Sequence, residues 1–365
     1  MFPFKLPIMK QRVSDPHTSS EVARYEAQKL AFAPLMFQAV RAMRDLGVLD
    51  SLYRAGDRGA LVQDVVQHTG VSTYAAGLML EAGYATGLCT YEEPRFTITK
   101  TGVFWLQDEL TRVNADFNHH ACYRGAFHFE EAMRTGLPAG LRELGPWSTV
   151  YEGLSQLPPE IRKAWFAFNN FYSDNAFEEC LPHVLLQGVR HVVDIGGNTG
   201  SFAKLCLLAS PDLKITLVDL PAQLTLASEA LTAIPDRSRV DLWPANLLMD
   251  NATLPQGADV YWMSQFLDCF SEVEISAILR RVALAMGSHS RAFVLEAFWD
   301  RQRYDAARFC VIGTSLYFAC IANGNSRMYH SRDMMRLARD AGLHVESENH
   351  SIDVAHSLLT LRSKV

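Results

Sequence analysis

Apolar and polar positions change rhythm about halfway along the chain. In the first half the spacing is helical: Ala31, Leu35, Phe37, Val40, Met43 and Leu46 recur at intervals that suit one helix face, and Gly47 closes the run. Ala60–Gly70 then reads as a second helix, Gly70 and Val71 as a turn, and Ser72–Gly87 as a third helix with Ser72 as its N-cap. Cys89–Thr99 (CTYEEPRFTIT) reads as a two-strand wing. Two more helical regions, Phe117–Gly136 and Glu160–Leu181, are rich in aromatic side chains. From about residue 187 the pattern switches to short β-branched runs alternating with helices, as a parallel sheet requires. The expected division is a helical, winged-helix-like domain over 1–186 and an α/β, Rossmann-like domain over 187–365.

The second half carries the most specific motif. In VVDIGGNTG (Val192–Gly200) a buried strand runs into a glycine-rich turn that opens a helix over Phe202–Ala209. Without Cβ atoms, Gly196, Gly197 and Gly200 let a ligand lie against bare backbone amides at a helix N-terminus, and Asp194 supplies an acceptor at the strand end. The spacing is not G-x-G-x-x-G, which points away from a dinucleotide and towards another adenosine-bearing cofactor. The next strand, Ile215–Val218, ends in Asp219, placed to accept from ribose hydroxyls. VDLWPANLL places Asn246 where an amide can read an adenine edge, and ADVYWMSQFL leads to Asp268.

These residues resemble the S-adenosylmethionine-dependent small-molecule O-methyltransferases of the plant caffeate and bacterial polyketide type. VDIGGNTG is similar to their cofactor loop with Asn198 in place of a glycine, VDLP matches their ribose-binding acid, and Asn246 stands where they carry an adenine-contacting acid. The resemblance implies a class I methyltransferase domain behind a winged-helix-like dimerisation domain, with FTITKTGVFWLQD as the exit from the wing. It implies a homodimer and a cofactor set of Asp194, Gly196, Gly197, Gly200, Asp219, Leu220, Asn246, Leu247 and Ser264. It also implies a small phenolic substrate met by His128, Phe168, Asn169, Tyr172 and Asn323.

The chain departs from these relatives where they carry out proton transfer. Their base is the histidine of L-H-D-W-x-D-E, braced by two glutamates. Here the text is LDCFSE: Asp268 replaces the histidine, Cys269 the acid and Phe270 the tryptophan. Glu296, in FVLEAF, matches one brace, and Ser326 falls where the other would be. An ordinary aspartate, with a pKa of about 3.9, is a poor base for a phenol of about 10. The arenium ion formed by ring-carbon methylation is a strong acid that a carboxylate can deprotonate, so the substitution favours transfer to carbon. Three alternatives stay open: phenol O-methylation with a substitute base, a cofactor-binding regulator without turnover, and an Asp268 that merely caps the following helix.

Composition narrows the classes. There are 34 Lys and Arg against 40 Asp and Glu, a net charge of −6, and Ser72–Gly87 holds no basic residue, which argues against winged-helix DNA binding. The seven cysteines form no C-x-x-C pair and read as reduced thiols. His119 and His120 are adjacent, so they diverge on a helix and make no chelating pair, and no metal is expected. No apolar run looks long enough to span a bilayer, and MFPFKLPIMKQ lacks a signal-peptide pattern, so a cytoplasmic location is expected.

Overall fold

The computed structural model describes residues 18–363 apart from Pro235 and Val354, so the opening MFPFKLPIMKQ lies outside the described residues. The chain divides into two compact units, one up to Ala115 and one from Asp116 onward.

In the first unit, α1 (Ser20–Asp45), α2 (Val48–Ala55), α3 (Val62–Thr69) and α4 (Thr73–Ala85) precede the antiparallel pair β1 (Cys89–Glu92) and β2 (Arg95–Ile98), then α5 (Lys100–Gln107) and α6 (Glu109–Phe117). Ser72 caps α4, its Oγ accepting the Ala75 N–H at 3.2 Å. Met43, Leu49, Leu52 and Leu80 form the centre of its core. The winged-helix pattern read from the sequence is therefore present. Residues Ser20–Leu35 of α1 are exposed all round and include the apolar side chains Tyr25, Leu30, Phe32 and Leu35.

The second unit continues with α7 (Phe129–Thr135), α8 (Val150–Gly153) and α9 (Pro159–Val184) before the α/β part. There β3 (His191–Ile195), α10 (Ser201–Ala209), β4 (Lys214–Asp219), α11 (Pro221–Ala230), β5 (Val240–Pro244), β6 (Val260–Ser264) and α12 (Glu272–Ala285) lead to β7 (Arg291–Glu296). Next come α13 (Asp305–Tyr317), α14 (Ser331–Asp340), β8 (Leu343–Ile352) and β9 (His356–Ser363). The sheet order is β5-β4-β3-β6-β7-β9-β8; β9 is antiparallel to both its neighbours and the rest is parallel. The chain reverses its winding between β3 and β6, and open α/β sheets bind ligands beyond the strand ends at such a point.

Alternation along the strands sends side chains to two cores. Tyr261, Met263 and Val294 pack with α12 and α14, while Trp262, Phe293 and Leu295 pack with α10 and α11. Glu296, next in β7, continues this alternation onto the α12 side.

The contact boundary falls at 115/116, and residues 117–165 share a core with the end of α13 and the residues that follow it. Phe117, Leu141, Val150, Leu154 and Trp165 bury themselves with Tyr317, Phe318 and Ile321. Residues 305–322 are apolar and long enough to span a bilayer by composition, contrary to the sequence expectation. Here Tyr317, Phe318 and Ile321 enter a protein core instead.

Candidate active site

The glycine loop is shaped by close backbone approach. Gly196 has φ +73°, and a Cβ there would lie 2.2 Å from the Phe266 ring. At Gly197 a Cβ would lie 2.5 Å from Leu217 and 2.8 Å from a carboxylate oxygen of Asp194. Gly200, at φ +79°, opens α10. Asn198 takes the left-handed region at φ +49°, which asparagine tolerates better than most side chains and which explains how it replaces a glycine. The Asn198 N–H donates to Asp219 Oδ2 at 3.0 Å, and the Leu220 N–H donates to Oδ1 at 2.7 Å. The loop is thus tied to the tip of β4, and Asp219 keeps lone pairs for a ligand hydroxyl.

A cavity of about 440 Å³ opens at this edge of the sheet. At one end it is lined by Gly196, Asn198, Asp219, Leu220, Asn246 and Leu247. Asn246 accepts the Leu248 N–H through Oδ1 at 3.0 Å, which fixes the amide and leaves Nδ2 as a donor. The other end is aromatic. Phe117 and Phe168 stack with centroids 4.1 Å apart, Tyr172 leans on Phe168 at 5.0 Å, and the Trp165 Nε1–H donates to the Tyr317 hydroxyl at 2.8 Å. Flat walls of this kind suit a planar ring.

Between the two ends sits a pair of buried carboxyl groups. A 3₁₀ turn, Leu267–Cys269, carries Asp268 at 4% exposure, and Glu296, at 2%, ends β7 beside it. Glu296 Oε1 accepts the backbone N–H groups of Phe266, Leu267 and Asp268 at 3.1, 2.8 and 3.4 Å. The Cys269 thiol donates to Asp268 Oδ1 at 3.4 Å. Burial pushes Asp268 up to about 6, against the lowering pull of its hydrogen bonds. Burial raises Glu296 well above the usual carboxylate range, and the neighbouring charge of Asp268 raises it further. Both carboxyls are thus shifted towards the protonated side of the ordinary carboxylate range, and a carboxylate shifted in that direction is a better base. Asp268 is not the cap of α12: that role belongs to Ser271, whose backbone N–H and hydroxyl both donate to Glu274.

The rest of the expected site divides. Phe168, Asn169, Tyr172 and Asn323 line the cavity, but His128 does not; its Nε2 pairs with Glu143 at 2.8 Å on an irregular segment. Asn323 borders the cavity with both ends of its amide occupied, Nδ2 donating to the Cys269 carbonyl at 2.6 Å and Oδ1 accepting from the Ser326 hydroxyl at 2.9 Å. Asn323, held by Ser326, thus braces the Asp268 turn. Asp194, Gly197, Gly200 and Ser264 stand behind the lining. Burial and the charge of Asp219 push Asp194 up to about 7. Gln265, Tyr151 and His356 also line the cavity and were not singled out from the sequence. Gln265 follows β6 at φ +47°, and nothing in its spacing signals that geometry.

Unpartnered polar atoms gather at this edge: Asp194 Oδ2, Ser264 Oγ, Gln265 Nε2, Glu296 Oε2, Tyr151 Oη and His356 Nδ1 are buried without hydrogen-bond partners. Buried polar groups are nearly always satisfied, so such a cluster marks where a polar ligand completes the structure. With the bare glycine loop, Asp219 and Asn246, the enclosed polar atoms of Asp194, Ser264 and Gln265 fit the polar nucleoside and amino-acid ends of S-adenosylmethionine.

Comparison with known proteins agrees with this geometry. An L-tyrosine C(3)-methyltransferase of Streptomyces lavendulae is 21% identical over 304 residues, covering 82% of this chain and 81% of that protein. A 3-amino-4-hydroxybenzoate 4-O-methyltransferase of Streptomyces cremeus is 25% identical over 272 residues, 72% of this chain and 71% of that one. The fold is that of the S-adenosylmethionine-dependent methyltransferase SibL, with a TM-score of 0.71, 21% identity, and coverage of 93% of this chain and 98% of the other. The neocarzinostatin enzyme NcsB1, solved with S-adenosylmethionine and 2-hydroxy-5-methyl naphthoic acid, gives a TM-score of 0.64 at 22% identity, over 90% and 95% of the two chains. A Dimerisation2-like domain matches residues 24–96. The O-methyltransferase domain matches residues 160–344, just over half of the 365, and the chain accordingly belongs to this family of S-adenosylmethionine-dependent methyltransferases.

Proposed function

We propose that this enzyme methylates a small phenolic aromatic, with a ring carbon as the favoured acceptor and Asp268 as the group that removes the ring proton. The observation that carries the reading is the placement of Asp268, a buried carboxylate with a raised pKa and a protonatable neighbour, on the wall of an aromatic-sided cavity. S-Adenosylmethionine, when bound, supplies an electrophilic methyl group on sulfur. Asp194, Gly196, Gly197, Gly200 and Ser264 shape its seat, while Asp219, Leu220, Asn246 and Leu247 face its ribose and base. Phe168 and Tyr172 hold the acceptor ring flat and exclude water, and Asn169 is the polar side chain beside them. Asn323 keeps the Asp268 turn in place through the Cys269 carbonyl.

As the ring carbon gains the methyl group, the same carbon must lose a proton to recover aromaticity. Asp268 accepts it, while Glu296, through its contacts with three backbone N–H groups, holds the turn in place. The tyrosine C(3)-methyltransferase relative favours carbon; the same carboxylate could take a phenol proton instead if oxygen were the acceptor. Incubating the enzyme with S-adenosylmethionine and a panel of phenols separates the two by NMR. A methyl on ring carbon removes one aromatic proton, whereas a methoxy product leaves every ring proton in place and would overturn the carbon assignment. We also propose that two copies pair through the first unit, whose dimerisation-type domain leaves apolar side chains of α1 uncovered.

A further inference from the structure

The cavity distributes its charges unevenly. Among the described residues its lining includes the carboxyl side chains Glu152, Asp219, Asp268 and Glu274 and no lysine or arginine. The basic side chain in the lining is His356, at the start of β9 and 2% exposed, with Nδ1 enclosed and without a hydrogen-bond partner. The register Glu296–Ser357 places His356 one step on, opposite Ala297, and alternation turns it to the sheet face away from Glu296. Burial pulls its imidazole down to about 4, so it is neutral near pH 7, a donor and acceptor without charge.

This combination is selective. An acceptor carboxylate entering the cavity would lose its hydration, meet no lysine or arginine among the described lining residues and face several acids, so it would bind less well than a neutral group of similar size. The cofactor is compatible with the same lining, because its sulfonium and ammonium groups outweigh its carboxylate. A neutral hydroxyl, ester or amide suffers no such penalty and can satisfy the enclosed imidazole.

Resting on the phenolic reading above, we infer that the acceptor is a phenol without a free carboxylate, whose second polar substituent is an uncharged group that hydrogen-bonds His356. Calorimetry on the full chain saturated with S-adenosylhomocysteine tests it with 3,4-dihydroxybenzoic acid, its methyl ester and catechol. The ester should bind at least tenfold more tightly than the acid, and also more tightly than catechol. In His356→Phe the ester should fall to the level of catechol while catechol changes less than about twofold, and His356→Gln should restore part of the preference. Retained S-adenosylhomocysteine binding verifies that each variant is folded. Acid binding as tightly as ester overturns the inference alone. An unchanged ester-to-catechol ratio in His356→Phe overturns the assignment of His356. Binding of none of the three overturns the phenolic reading and the inference together.

Discussion

Glu296 Oε1 accepts the Leu267 backbone N–H at 2.8 Å, so the last residue of β7 fixes the turn that carries Asp268. The contact depends on geometry more than on charge, because an amide oxygen can accept the same N–H groups. Glu296→Gln should therefore leave the melting temperature within a few degrees, whereas Glu296→Ala, which strands buried donors, should cost about 1–3 kcal/mol. Thermal denaturation of both variants decides this; equal losses would mean that the charge itself is required.

Asp268→Asn keeps the shape of the turn and removes its carboxylate. Turnover should fall by a factor on the order of 100 to 10,000, with S-adenosylhomocysteine affinity nearly constant. Full activity in the variant would exclude Asp268 from proton transfer.

The raised pKa of Asp268 sets two opposite pH trends. Its carboxylate acts only when ionised, so kcat/KM should drop as pH falls through about 6. Stability runs the other way: the folded value lies above the ordinary 3.8, so the folded chain binds this proton more readily than the unfolded one. That stabilisation is complete below about 3.8 and is lost as pH rises through about 6. Denaturant melts of the wild type and Asp268→Asn between pH 4 and 8 isolate the contribution; identical slopes would refute it.

On the cofactor side, Gly196→Ala forces a Cβ to within 2.2 Å of the Phe266 ring at a φ of +73° and should abolish measurable cofactor binding. Asp219→Ala should weaken S-adenosylmethionine binding by about 1.5–3 kcal/mol, read by calorimetry. Unchanged affinity in both would move the cofactor elsewhere.

Pairing of two chains should be visible in sedimentation velocity as a dimer at micromolar concentration. Charges placed on the exposed apolar side chains of α1, as in Leu30→Asp with Leu35→Asp, should yield monomers that still bind cofactor. A monomeric wild type would end the proposal.

Residues whose placement depends on local backbone geometry were legible in advance. The glycine loop, Asp219 and Glu296 lie at strand ends where period-2 alternation and glycine content mark them. Asn198 could be read as a glycine substitute, although only its left-handed φ accounts for the exchange. Residues whose role depends on a distant partner were not legible. His128 sits in an aromatic helical stretch and was expected to meet the substrate, yet it pairs with Glu143 at the end of a 3₁₀ turn. Asp268 could have been a helix cap until Ser271 was seen to do that work. His356 has no motif around it; the antiparallel placement of β9, not any local spacing, brings it to the cavity.

The reversed direction of β9 also has a consequence in time. Parallel strands deliver their ends to the ligand edge, but β9 delivers its beginning, and it does so after all the others have been made. A chain emerging from the ribosome carries the glycine loop, Asp219 and Asp268 long before His356 exists. Until the final hairpin docks against β7, the edge of that strand and the cavity floor beside it stand open to water. The residues proposed to meet the cofactor are thus made before His356, the residue inferred to meet the acceptor's second substituent.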